Sequence, residues 1–340
     1  MNELKIGLIG GTGLGQALAA TTEGTRHELD TPFGRPSDAI IETTWAGVPV
    51  LILSRHGPGH VINPTQINTR ANIFALKQLG CTHIIASGAV GSLREEYKPR
   101  DLVIPDQVID KTHKRANTFF ERAAVHVEFA EPFCPVLRQT LLDAGKGSGF
   151  SAQGSANASA QDSGLSTQDS PPEPFAVHDR GCYVCMEGPA FSTRAESLMH
   201  RLWGGDLIGM TAMPEARLAK EAEISYALVA LVTDYDCWRS KPALTPTGTD
   251  APSAGPQPAK PDPHELLREI LANVQAATQN AVELMKRAVE LAGQRRDQLA
   301  AAPAQRALEL AIWSDKSRID PAEVQRLAPL WVKYFETPPQ

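Results

Sequence analysis

A short apolar strand that runs straight into a cluster of glycines constrains this chain most. Lys5 to Ile9 is an apolar, β-prone run, and it ends in Gly10-Gly11-Thr12-Gly13-Leu14-Gly15. Such a loop presents unhindered backbone N–H groups and one hydroxyl, an arrangement suited to an anion. A tight turn with no ligand accounts for it about as well. The loop lacks the Gly-Lys-Ser/Thr ending of a triphosphate-binding loop. It also fits the dinucleotide fingerprint poorly, because counting from Gly11 puts Gln16 where the third glycine belongs. An NAD-dependent dehydrogenase would further need a ribose-binding acid after the next strand, and none is found there.

The rest of the chain alternates strand and helix patterns. Val48 to Ser54 reads as a strand ending at Arg55-His56, and Asn68 to Leu79 as a helix with Ala71, Ile73, Phe74 and Leu76 as its apolar members. Gly80 is its stop signal. Thr82 to Ala86, Leu102 to Ile104 and Tyr226 to Val232 read as further strands, which predicts an α/β domain with a largely buried sheet. Residues 147–174 are rich in Ser, Gly, Gln and Ala, and residues 239–263 in Pro, Thr and Ala. Both segments are almost without large apolar residues, too few to bury what ordering requires, and both read as surface insertions into one domain. Asp262-Pro263-His264-Glu265 and Asp320-Pro321-Ala322-Glu323 are helix starts, each with a capping Asp and Pro at the first helical position.

Composition narrows the function. The 340 residues carry a net charge of -6, which argues against a nucleic-acid binder. No apolar run is long enough to span a bilayer, and the first residues do not form a signal peptide. Five scattered cysteines do not make a disulfide framework. These features predict a cytoplasmic protein without a membrane or nucleic-acid partner. Cys182 and Cys185 form a C-x-x-C, but they lie in an apolar run that reads as a buried strand. Residues three apart on a strand point to opposite faces, so no metal site is expected there.

Two pairs of residues are suited to chemistry. Arg55-His56 sits at a predicted strand end before Gly57-Pro58-Gly59-His60; Arg offers a planar fork that matches phosphate oxygens, and the histidine can donate another bond. The alternative is a solvated loop. Asp234 and Asp236 emerge from the buried run Ala227 to Val232, where a partly desolvated Asp gains a raised pKa and can act as a general acid. A helix cap or a salt-bridged turn is the ordinary alternative.

Six motifs then occur in order: Gly10-Gly11-Thr12-Gly13, Ser54-Arg55-His56-Gly57, Glu187-Gly188-Pro189, Phe191 to Glu196, Gly209-Met210-Thr211 with Pro214-Glu215, and Thr233 to Trp238. Together they resemble the S-methyl-5'-thioadenosine phosphorylase branch of the trimeric purine nucleoside phosphorylases. The resemblance implies a single α/β domain with a mixed central sheet flanked by helices. It would span residues 1–292, interrupted at 147–174 and 239–263, with a helical C-terminal extension over 293–340.

The resemblance also implies roles. Thr12, Arg55, His56, Ala89 and Thr211 would hold phosphate, and Met210 would lie under the ribose. Phe191 and Ser192 would line the base pocket, with Asp234 and Asp236 facing the purine's N7 and 6-amino edge. His126 would reach the 5'-substituent pocket of a neighbouring subunit, which implies a homotrimer with shared sites. Where 6-oxopurine members carry Glu and Asn, this chain has Ser192 and Asp234. A carboxyl can protonate N7 and accept from a 6-amino group, which predicts adenine over hypoxanthine. The implied reaction is phosphorolysis to adenine and 5-methylthioribose 1-phosphate, with Asp234 as the acid, phosphate as co-substrate and no metal or organic cofactor. The segment that helps build the family's 5' pocket is replaced here by residues 239–263, so a broader purine nucleoside phosphorylase acting on adenosine or inosine is the competing enzyme. A non-catalytic binding module is the third reading, and it leaves both residue pairs unexplained.

Overall fold

The computed structural model describes residues 3–11, 14, 18, 23–146, 175–239 and 263–335, with the backbone alone at 263–267 and 269. Thr12, the segment 147–174, Asp262 and nearly all of 239–263 lie outside the described residues.

The described strands form one mixed sheet of eleven strands. β1 (Ile6–Gly10) lies between β4 (Val48–Ser54) and β5 (His83–Ser92), parallel to both. β11 (Ser225–Tyr235) is parallel to β5 on its other side. These four strands are apolar on both faces, as a doubly covered parallel sheet requires, and every residue of β1 is buried. β3 (Ile40–Trp45) and β2 (Thr25–His27) extend the sheet antiparallel beyond β4. The last residues of β5 pair antiparallel with β10 (Leu207–Gly209), which leads on to β9 (Cys182–Cys185) and β7 (Gln107–Asp110). β6 (Leu102–Val103) joins β11, and β8 (Val177–His178) joins β6. The C-terminal ends of β1, β4, β5 and β11 therefore meet at one edge of the molecule.

Helices cover both faces. They are α1 (Thr69–Gln78), α2 (Pro135–Gly145), α3 (Arg194–Leu202), α4 (Ala212–Glu221), α5 (Pro263–Gln294), α6 (Arg296–Ala300), α7 (Pro321–Arg326) and α8 (Ala328–Trp331). α1 starts where the Asn68 side chain accepts from the Ala71 N–H, and beyond it Gly80 takes φ +81°, the left-handed step that glycine makes freely. On one face Ile73, Phe74, Leu76, Ala216 and Leu218 pack against Tyr226 and Leu228. On the other, Leu137 and Leu141 meet Ala277, Leu284 and Met285 over Leu8 and Val229. This single mixed α/β domain is the fold class the sequence predicts.

The chain beyond Gly293 packs onto the domain. Leu327, Leu330 and Trp331 enter the first core cluster, with the Trp331 ring 4.7 Å from that of Phe120. Glu223 anchors this segment by accepting from the Tyr334 hydroxyl at 2.6 Å and the Leu308 N–H at 3.2 Å. Among the described residues no helix is long and apolar enough to cross a membrane. Cys185 is buried with its thiol against the Met213 backbone, and Cys182 is only partly buried, so the C-x-x-C is spread along β9.

Candidate active site

Parallel register brings the first set of candidate residues together. Gly10 lies opposite Ser54, Ile9 opposite Ala86, and the Arg55 N–H donates to the Gly10 carbonyl at 3.0 Å. The Gly11 N–H donates to Ser87 Oγ at 3.1 Å. A Cβ at Gly11 would stand 2.9 Å from both Arg55 Nη1 and the Ser87 carbonyl, so only glycine fits here. The glycine loop, the Arg55 guanidinium and the end of β5 thus touch. A Cβ at Gly88 would stand 3.2 Å from Thr211 Oγ1, which adds the threonine and the neighbouring Ala89 to the same spot. Thr211 precedes α4 without its hydroxyl capping the helix.

Arg55 departs from the sequence expectation. It is buried, and Nε and Nη2 both donate to the Glu215 carboxylate at 2.8 Å, while Nη1 donates to the Ser87 carbonyl at 2.7 Å. Its bidentate face is already taken, so the free fork predicted from the sequence is not presented. Glu215 also accepts from the Tyr226 hydroxyl at 2.8 Å. Burial alone would loosen the guanidinium proton, but the Glu215 carboxylate outweighs it and raises the pKa further. Arg55 is a fixed cation behind the glycine turn.

His56 departs as well. Its Nδ1 lies 2.7 Å from the Ile62 carbonyl, which can only accept, so Nδ1 carries the hydrogen. Burial pushes the ring down to about 4, so it is neutral near pH 7. In that tautomer Nε2 offers a lone pair. The donor expected from the sequence is absent until the ring takes a proton, and a protonated phosphate oxygen is the partner the neutral ring suits. His60 stacks on it with ring centroids 4.0 Å apart.

The carboxylates sit at the end of β11. A register shift between Val232 and Asp234 leaves Thr233 as an extra residue and sets Asp234 opposite Gly91. A Cβ at Gly91 would stand 3.2 Å from Ile208 Cγ2, 3.3 Å from Asp236 Cβ and 3.5 Å from Asp234 Oδ2. Gly91 therefore makes room for both acids side by side. Burial raises the Asp234 pKa, the 2.6 Å bond from Thr233 Oγ1 opposes this, and the Asp236 charge adds to the rise. Asp236 Oδ2 is buried with no hydrogen-bond partner among the described residues. Ser192 is joined to this segment by the Cys237 thiol, 3.3 Å from its carbonyl oxygen, while Phe191 stands largely exposed beside it.

Met210 is braced by residues to which the sequence reading gave no role. A Cβ at Gly188, where φ is +69°, would stand 2.6 Å from the Met210 thioether sulfur. Arg115 Nη1 donates to the Met210 and Met213 carbonyls at 2.6 and 2.7 Å, and its Nε donates to Glu187 at 3.1 Å. Glu187 also accepts from the His113 and Lys114 N–H groups. Burial works against its charge, but these donors prevail and hold its pKa at about 2. Glu187 and Glu215 both lie in quoted motifs, and their burial was the missing signal. His126 is not brought to this group; it is exposed, with its N–H on the Ala311 carbonyl and its ring 4.6 Å from that of Trp313. A cavity of about 450 Å³ lined by Leu4, Thr82, His83, Arg296 and Gln305 lies at the opposite end of β1 and β5, remote from this chemistry.

The Arg55–Glu215 pair behind Gly11 and the two carboxylates flanking Gly91 thus lie along the same strand ends. The sequence profile of the phosphorylase superfamily matches residues 5–290. The S-methyl-5'-thioadenosine phosphorylase of Synechocystis is 42% identical over 342 aligned residues, covering 98% of this chain and 89% of the relative. The protein of the same name from Thermosynechococcus vestitus is 49% identical over 235 residues, 69% of this chain and 73% of its own. Among solved structures, a methylthioadenosine phosphorylase from an antarctic soil metagenomic library gives a TM-score of 0.74 at 37% identity, covering 97% of this chain and 99% of that one. An adenosine/methylthioadenosine phosphorylase from Schistosoma mansoni, a double mutant in complex with adenine, also gives 0.74, at 33% identity and with 92% and 100% coverage. The chain belongs to the phosphorylase superfamily, on its S-methyl-5'-thioadenosine phosphorylase branch, and is a pentosyl-transferring enzyme.

Proposed function

We propose that this chain cleaves S-methyl-5'-thioadenosine with phosphate, yielding adenine and 5-methylthioribose 1-phosphate. The observation that carries the reading is the Asp234–Asp236 pair across Gly91, one acid with a raised pKa and the other with an unpaired buried acceptor oxygen. A protonated Asp234 gives its proton to purine N7 as the C1'–N9 bond breaks, so the bond electrons leave on a neutral base. Asp236 accepts from the 6-amino group. The phosphate oxygen forms the new bond to C1', and the proton that phosphate sheds replaces the one Asp234 gave. Thr12, Ala89, Thr211 and the neutral His56 bind phosphate, while Arg55, its charge balanced by Glu215, braces Gly11 and the end of β5 from behind. Holding phosphate beneath an oxocarbenium-like sugar removes the entropic cost of an encounter. The scheme draws on no metal or organic cofactor.

Phe191, Ser192 and Met210 bind the nucleoside, and the exposed His126 serves the 5' pocket of a neighbour in a homotrimer. Adenosine is the second candidate substrate, favoured by the likeness to an adenosine/methylthioadenosine phosphorylase. Base release from methylthioadenosine, adenosine and inosine tests the reading. Turnover of the two 6-aminopurines far above inosine supports it, and a preference for inosine overturns it.

A further inference from the structure

The chain beyond Gly293 reaches back to the segment that carries His126. Val125 and Ile312 form an isolated antiparallel bridge. On one side of it the His126 N–H donates to the Ala311 carbonyl, and on the other the Trp313 N–H donates to the Ala124 carbonyl, both at 2.9 Å. Ser314 Oγ adds a third tie by accepting from the Ala124 N–H at 2.7 Å. Successive side chains on extended backbone point to opposite faces. Val125, Val127 and Ile312 pack inward on the first core cluster, so His126 and Trp313 are sent outward together. Their rings meet edge-on, with centroids 4.6 Å apart and planes at 61°. Aromatic pairs favour that arrangement, and it adds to whatever area the rings bury. Trp313 is still 72% exposed, so most of the indole faces away from its own chain.

We propose that Trp313 is a positioning residue for 5' specificity: its indole holds the outward-pointing His126 imidazole at the angle from which it meets the 5' substituent in a neighbouring subunit. This rests on the placement of His126 in a neighbour's 5' pocket. An exposed imidazole on its own samples several rotamers, and fixing one of them on binding costs free energy. Here the indole stands against one side of the ring and the bridge fixes the backbone beneath it, so much of that ordering is complete before the nucleoside arrives. The contact also decides what the imidazole offers. Two rings held edge-on present a joined aromatic surface, and a thioether gains from such contact. A 5'-hydroxyl buried against the same surface loses its hydrogen bonds to water and finds no equal replacement. The extension therefore serves the reaction as well as the core, through the one short bridge at Val125 and Ile312.

The test reads the ratio of kcat/KM for S-methyl-5'-thioadenosine over adenosine, two nucleosides that differ only at the 5' position. Trp313→Ala is expected to lower that ratio about tenfold, the scale of one apolar contact in a binding pocket. Trp313→Leu keeps apolar bulk without the ring and is expected to do the same, which preserves the test if Trp313→Ala does not fold. Trp313→Phe keeps a ring edge on the imidazole and retains most of the ratio. His126→Ala lowers the ratio as far, and adding Trp313→Ala to it lowers it no further, because the indole acts through the imidazole. The NMR signals of the His126 ring protons read the contact without any substrate, and they are expected to move in Trp313→Ala. An unchanged ratio in both Trp313→Ala and Trp313→Leu, losses that add in the double variant, or His126 signals that stay in place overturn the proposal. The His126→Ala variant separates the two levels. If it lowers the ratio while the Trp313 variants do not, the role of Trp313 fails and the placement of His126 stands. If His126→Ala leaves the ratio intact, both fall.

Discussion

Arg55 and Glu215 make a buried bidentate ion pair, 2.8 Å at both contacts, that joins the end of β4 to α4. The pair fixes the cation beneath the glycine turn and closes its fork to any ligand. Removing one partner of such a pair leaves an uncompensated buried charge. Glu215→Ala is therefore expected to lower unfolding stability by about 3–5 kcal/mol. Glu215→Gln keeps one acceptor oxygen for the guanidinium and costs less. Urea unfolding of both variants checks this, and a Glu215→Ala protein as stable as the parent refutes the role given to the pair.

Asp234 links activity and stability through one proton. Its folded pKa is raised above the unfolded value, chiefly by burial, so the folded state binds the proton more tightly. The fold is then relatively favoured at pH below the unfolded pKa and loses stability as pH rises from the unfolded value through the folded one. Turnover that needs the acid form falls over the same rise. Asp234→Asn is expected to lose most of kcat while being at least as stable as the parent at neutral pH. Thermal unfolding and rates on one preparation test both halves; an Asn variant that is less stable yet active contradicts them.

Gly91 is a matter of space. A methyl there comes within 3.2 Å of Ile208 Cγ2 and 3.3 Å of Asp236 Cβ, so either the strand or the acid must shift by a few tenths of an ångström. Gly91→Ala is expected to lower kcat/KM by about tenfold or more, since small displacements of positioned groups are expensive in rate. The midpoint of unfolding moves little by comparison. Steady-state kinetics beside a melting curve tests this, and unchanged kinetics would show that the acids are not held by that contact.

Two buried histidines weaken the fold as pH falls below neutral. His56 and His83 are both pushed by burial from 6.5 to about 4. Between these values the unfolded chain binds protons that the folded one refuses, so stability falls as pH drops from about 6.5 towards 4. His83→Gln, outside the site, is expected to flatten that slope. Unfolding free energies measured across the window decide, and a pH-independent stability contradicts the assignment.

The framework was legible in sequence wherever apolar runs met glycine or asparagine punctuation. Val48 to Ser54 keeps its predicted bounds, and the α1 pattern differs only at the capping residues Asn68 and Leu79. β5 was read too short because Ser87-Gly88-Ala89-Val90-Gly91 has little bulk, yet those small residues are what lets Thr211, Asp234 and Asp236 approach. The two aspartates stood out because carboxylates ending a buried run call for a reason. Which way Arg55 points did not, because its partner Glu215 lies 160 residues away and nothing local signals the pairing. The neutral state of His56 depends on burial and on the Ile62 carbonyl, both products of the fold.

The most direct measurement follows adenine release from S-methyl-5'-thioadenosine with and without inorganic phosphate, while assaying the sugar product. The account predicts that release requires phosphate and yields one sugar 1-phosphate per adenine, with Asp234→Asn losing most of both. Release that proceeds equally without phosphate, giving free 5-methylthioribose, would contradict it and mark the chain as a hydrolase.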